Sequence, residues 1–203
     1  MKYEPRAFNL PELKGLSADQ IKVHLSLYEG YVKHANLIAD KIDAMSAADA
    51  EGNAYPIAEL RRRFGFEFDG MRMHERYFEQ FEGGRSEPDE GSALAKAGIA
   101  RYGDKGGLVA KMKEVAGTRG IGWVVVYADP EAKDPMRDLH TVFVGDHELG
   151  QLAGLPIIVA LDLWEHAFMV DYKPAEKKSY IDAFFDNLNW KVIEARFPIP
   201  PQA

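Results

Sequence analysis

Asp162-Leu163-Trp164-Glu165-His166-Ala167 follows the run Leu155-Pro156-Ile157-Ile158-Val159-Ala160-Leu161, which is apolar at almost every position. A continuous apolar run of this length predicts a strand buried on both faces. At its end the run delivers a carboxylate, Asp162, and an imidazole, His166, four residues apart. Ionised carboxylates are almost never fully buried without a partner. Asp162 therefore needs a cation, and His166 is near enough to share it. On this stretch alone two arrangements stay open: a metal held by the pair, or a buried Asp–His hydrogen bond.

Upstream, Ser17-Ala18-Asp19-Gln20 has the pattern of a capping box and predicts a helix from about Ala18. Apolar residues recur with helical period at Ile21, Leu25, Tyr28, Val32, Ala35, Ile38 and Ile42, and His24, Tyr28 and Tyr31 fall on one side. Gly52-Asn53 and Pro56 break the pattern before a second helix over about 56–81. Two long helices joined by a short polar connection predict an antiparallel hairpin. Gly65 and Gly70 lie inside the second helix, where glycine usually marks the close approach of another backbone. GGRSEPDEG at 83–91 carries no periodicity and is the best linker in the chain.

Beyond it, helical stretches at about 92–101 and 106–116 precede two strands, 120–128 and 139–144, separated by a turn-like segment from Asp129 to Asp138. The loop at 145–154 leads into the apolar run, and Pro174 opens a helix before Asn187-Leu188-Asn189-Trp190 and a last helical turn. This order predicts an α+β fold. Its first part, residues 1–86, is a long antiparallel helical hairpin after an irregular arm over 1–16. Its second part, residues 87–203, is an α/β domain with a three-stranded antiparallel sheet and flanking helices.

Composition narrows the function. The chain has 203 residues, 46% of them hydrophobic, and a formal net charge of −7, which argues against a general nucleic-acid binder. With no cysteine, any metal must be held by His, Asp, Glu or water. No stretch approaches a membrane span, and the N-terminal MKYEPRAFNLPELKG lacks an apolar core and carries acids early, so a cytosolic protein is expected.

Six histidines remain to be weighed. His34 sits beside Lys33 on a polar face, and a structural role is expected for His140 on its strand. His147 lies in a polar loop, where functional residues concentrate. His24 and His74 each occupy the middle of a long helix. Joined with His166 and Asp162, they make three imidazoles and one carboxylate, a set suited to Mn, Fe or Zn.

At this point the sequence resembles the iron/manganese superoxide dismutases. The family signature Asp-x-Trp-Glu-His-Ala is matched at every fixed position by Asp162 to Ala167. Further likenesses follow in order along the chain: His24 with Tyr31-Val32, Gly70 with His74, Gly120-x-Gly122-Trp123, and Asn187-x-Asn189-Trp190. The resemblance implies a metal, Fe or Mn with iron favoured, held by His24, His74, Asp162 and His166 with a solvent ligand. It implies disproportionation of superoxide to dioxygen and hydrogen peroxide, which needs two accessible oxidation states and so excludes Zn. Tyr31 matches the tyrosine at the substrate channel, and His147 is placed to hydrogen-bond the solvent ligand because Gly70 has no side chain to do so. Trp123, Trp164 and Phe78 match the apolar wall. Glu165 matches a residue that bridges to the His166 ligand of a second copy, implying a homodimer or a tetramer.

Three departures accompany the resemblance. Seven residues separate His24 from Tyr31 where eight are usual, and one residue turns a helix by about 100°. Tyr31 then reaches the same place only if the usual helix carries a bulge that this one lacks. A hydrogen-bonded His–Tyr pair across the dimer is represented here by Tyr28 and Met169. Lys177 and Lys178 match the basic pair that attracts superoxide, offset by one residue. A metal-binding homologue without enzymatic activity is the alternative this altered pair leaves open.

Overall fold

The first helix, α1 (Ala18–Asp49), begins where the Ser17 side chain accepts the backbone N–H of Gln20 at 3.1 Å. The reciprocal half of the expected capping box is absent. Gln20 instead sends its amide across to the far end of the chain, donating to the His166 carbonyl at 2.6 Å and accepting from Val170 N at 2.9 Å. A buried glutamine with two backbone partners is thereby satisfied on both its polar atoms. Asn53 precedes α2 (Ala54–Glu79), which packs against α1 as the expected hairpin. The computed structural model describes residues 2–134 and 138–198, so part of the turn read between Asp129 and Asp138 lies outside the described residues.

After the linker come α3 (Ala93–Tyr102) and α4 (Gly107–Ala116), then strands β1 (Gly122–Ala128), β2 (Leu139–Gly145) and β3 (Ile157–Asp162). The sheet is antiparallel in the order β2-β1-β3. All seven residues of the central strand β1 are buried, as its unbroken apolar run requires. Register pairs Trp123 with Asp162, setting an indole next to the carboxylate. Short 3-10 turns at Glu165–Ala167 and Pro174–Glu176 lead into α5 (Lys177–Asp186), and α6 (Trp190–Glu194) follows. One continuous hydrophobic core draws on the hairpin, the sheet and α5 together. Among the described residues no helix is long and apolar enough to cross a membrane.

The strand that carries Asp162 lies at an edge of the sheet, yet from Ile158 to Asp162 it is buried. An edge strand presents unpaired backbone groups, and burying them unsatisfied is costly. Three side chains meet that need. The carbonyls of Ile158, Ala160 and Asp162 accept from Arg196 Nη1 at 3.0 Å, Gln80 Nε2 at 2.6 Å and Tyr180 Oη at 2.7 Å. Gln80 also accepts from Ala160 N at 3.3 Å, so its amide stands in for the next strand. Gln80→Leu would strand both groups of Ala160. It is expected to lower stability by about 3 kcal/mol, measured by chemical denaturation, whereas a loss under about 1 kcal/mol would show that the edge has another partner.

Candidate metal centre

Three parts of the fold bring four side chains to one point. His24 comes from α1, His74 from α2, and Asp162 and His166 from the end of β3 and the turn after it. One ligand atom from each lies within 4.8 Å of the others. From Asp162 Oδ2, His24 Nε2 is 3.0 Å away, His166 Nε2 3.2 Å and His74 Nε2 3.5 Å, and His74 Nε2 is 3.3 Å from His166 Nε2. The first, second and third ligands are fully buried and His166 is partly so.

The donor set fits a redox metal on two grounds. Metal bonds of about 2.1 Å place ligand atoms about 3.0 Å apart at a right angle and about 3.6 Å apart at 120°, bracketing these separations. Protons give the second. His74 Nδ1 donates to the Gly70 carbonyl at 2.6 Å, so a neutral His74 turns a lone pair on Nε2 towards the Asp162 carboxylate. Two acceptors facing each other in a buried site need a cation between them. His24 lacks such a second contact. Its Nδ1 has no partner among the described residues, and the ring is held instead by packing against Tyr77 and Phe78 at 4.7 and 4.9 Å.

Electrostatics keep the ligands in their binding forms. Burial pushes the His24 and His74 imidazoles down, so both stay neutral. Burial alone would raise Asp162, but the imidazoles of His166 and His24 outweigh it and hold the carboxyl well below the usual range. Its second oxygen, Oδ1, accepts from Trp164 N at 2.8 Å.

Around the ligands stand most of the residues singled out in the sequence. α1 is uninterrupted α-helix through its length, so Tyr31, two turns beyond His24, stays on the same face and its ring lies 5.0 Å from that of His74. His147 is fully buried rather than solvated in its loop. It stacks on Trp164 at 4.8 Å, accepts from Trp123 Nε1 at 2.9 Å on Nδ1, and meets Tyr31 Oη at 2.8 Å through Nε2. An indole N–H can only donate, so neutral His147 carries its proton on Nε2 and donates it to the Tyr31 oxygen; it reaches the centre through Tyr31, not by the direct bond to a solvent ligand expected from the sequence. Burial pushes His147 down to about 4, which keeps it neutral at physiological pH. The loop reaches this position through Asp146, at φ 51°, whose carbonyl accepts from Trp164 Nε1 at 3.1 Å. Aspartate is among the few side chains that tolerate that conformation.

Several expectations need correction. Gly70 admits a side chain and not a backbone: a Cβ there would stand 2.7 Å from Tyr31 Cδ1. Tyr28 meets the centre only through Phe78, at 6.4 Å, and its hydroxyl accepts from Arg6 N and donates to Glu75. Leu27, Met169 and Val170 are among the large apolar side chains turned outwards. Glu165, matched in the sequence to a residue that bridges to a second copy, is exposed on the single chain, in a cleft it shares with Lys177 and Lys178. His34 is exposed, in keeping with its polar face, and His140 lies 3.7 Å from Asp129 and is not part of the ligand cluster. The sequence reading missed Phe66, whose ring meets His147 at 4.6 Å and Trp164 at 6.3 Å. Its spacing of eight residues before His74 was the available signal.

A buried three-histidine, one-aspartate centre between a helical hairpin and an antiparallel sheet defines a mononuclear metalloprotein. A family model described as iron/manganese superoxide dismutases, C-terminal domain, matches residues 90–196. A "Superoxide dismutase [Fe]" from Aquifex pyrophilus is 36% identical over 97% of this chain and 91% of its own length. One from Saccharolobus solfataricus is 29% identical over 96% and 93%. A "Superoxide dismutase [Mn] 2" from Halobacterium salinarum is 36% identical over 63% of this chain and 60% of its own length. The chain belongs to the iron/manganese superoxide dismutase family.

Gly70→Ala tests how tightly the tyrosine is placed. The new methyl would force the Tyr31 ring to shift by several tenths of an ångström. Metal content is expected to stay at the wild-type level while activity per metal falls about tenfold or more. Unchanged activity per metal would show that the Tyr31 position is not critical.

Proposed function

We infer that the protein disproportionates superoxide to dioxygen and hydrogen peroxide at a mononuclear iron or manganese centre held by His24, His74, Asp162 and His166. The observation that carries this is the convergence of those four ligand atoms in a buried site, in a chain of this family. When bound, the metal would supply reversible one-electron exchange, which a chain without cysteine cannot draw from a thiol. Iron is the metal proposed. In support, the relatives aligned over nearly the whole chain are named as iron enzymes.

The residues divide the remaining work. His74 is fixed in one tautomer by the Gly70 carbonyl, which aims Nε2 at the metal position. Trp123 and His147 form a directed relay that ends on the Tyr31 oxygen, leaving the phenol's own proton free to point at solvent in the site. Burial, with the Asp162 charge, pushes the Tyr31 phenol up, so it stays protonated and able to donate. Trp164, Phe78 and Trp123 keep bulk water from the ligands, which sharpens every electrostatic contact inside.

The proposal includes a homodimer. Support comes from the surface around His166. The Glu165 carboxylate is exposed and makes no hydrogen bond among the described residues, and Met169 and Val170 just after it, with Leu27 on α1, are large apolar residues turned to solvent. Gln20 ties this segment to α1. Docking a second copy would cover that apolar surface and bring its Glu165 to the uncovered edge of His166.

Two measurements check these statements. Purified protein is expected to carry about one iron or manganese per chain and to consume superoxide, with both lost in His74→Ala; a fully loaded but inactive protein would move the weight to a non-enzymatic metal protein. Sedimentation is expected to give twice the chain mass, and Met169→Arg to give the single-chain mass. A wild-type monomer would remove the dimer from the proposal.

A further inference from the structure

One face of α2 runs from solvent to the metal position. Arg63, Phe66, Gly70 and His74 fall at successive turns of that face, and burial deepens along it from exposed to half-buried to fully buried. The Arg63 guanidinium lies over the Phe66 ring, 3.8 Å from its centroid. Phe66 in turn sets its edge against His147 at 4.6 Å and lies 6.2 Å from Tyr31. Arg63 is held in place by Glu67, a buried acid whose Oε1 takes Nε at 2.9 Å and Nη2 at 2.8 Å. Nη1 makes no hydrogen bond among the described residues. The cation is therefore fixed, flat on an aromatic ring, with a free donor edge at the rim of the site.

Another cation near the ligands, Lys177, lies in the Glu165 cleft with Lys178 and is half-buried. A protein of net charge −7 repels an anionic substrate at long range, so local cations decide where the anion arrives. Resting on the dismutase function above, we propose that Arg63 is a positioning residue that draws the superoxide anion along the Phe66 side of α2 to the Tyr31–His147 end of the site. Glu67 orients the guanidinium and at the same time weakens its pull. In support, the charge of Arg63 reaches both Tyr31 and His147.

The test is the second-order rate of superoxide consumption on protein of measured metal content, from about 10 mM to about 200 mM ionic strength, where screening of an exposed charge becomes strong. Arg63→Ala is expected to slow the reaction about two- to fivefold at low salt, with the loss fading as salt rises, and Arg63→Lys to recover most of it. Glu67→Gln is expected to act in the opposite direction and raise the low-salt rate. Arg101→Ala, the same charge change on α3, should leave the rate unchanged. If Arg63→Ala and Glu67→Gln both slow the reaction by a salt-independent factor, the pair is structural and the proposal is overturned. A salt-dependent loss confined to Lys177→Gln would overturn it too, placing the approach in the cleft. A metal-loaded wild type with no activity would overturn the dismutase function itself, and this proposal with it.

Discussion

The Asp162 carboxylate, buried among three imidazoles, is the constraint the rest of the structure serves. A lone carboxylate at that depth would be protonated or would drive water in. Here it stays ionised because His166 and His24 face it. Those imidazoles come from opposite ends of the chain, so the charge can be satisfied only when the hairpin and the sheet are packed together. The site is thus also a seam: Gln20 on α1 binds the backbone at His166 and Val170, and Gln80 at the end of α2 binds Ala160 two residues before the carboxylate.

Neutral ligands and a fixed proton direction follow from burial and donor count alone. His74 has one acceptor within reach of Nδ1, the Gly70 carbonyl, and its tautomer follows. His147 has an indole donor on one nitrogen, and its other nitrogen must be the one that donates. Neither assignment depends on what occupies the centre. The chain has therefore written the orientation of its hydrogen bonds into groups that cannot reverse, an N–H of tryptophan and a C=O of the backbone.

Much of this was legible in the sequence. The apolar run before Asp162, the periodicity of both long helices and the spacing of the histidines are signals of covalent order, and they map directly onto elements. Most element boundaries fell within two or three residues of the reading, with α2 starting at Ala54 and β1 at Gly122, while α1 runs on to Asp49, well past its last periodic position, Ile42. What could not be read depends on contacts between distant segments. Gln20 looked like half of a capping box because its local partner, Ser17, was visible and its true partners 146 and 150 residues away were not. Tyr28 shares a face with His24, yet its hydroxyl follows Glu75 and the Arg6 amide, which periodicity does not reveal.

The sealed edge of β3 bears on how the chain reaches this state. Its three outward carbonyls are covered by side chains from the end of α2, from α5 and from the segment after α6. Until the last two have docked, the strand is an apolar ribbon with open backbone acceptors, the kind of surface that pairs with a copy of itself. The segment that creates the metal site is then also the segment most exposed to misassembly in a half-finished molecule. Two of its three covering side chains, Tyr180 and Arg196, are synthesised after it.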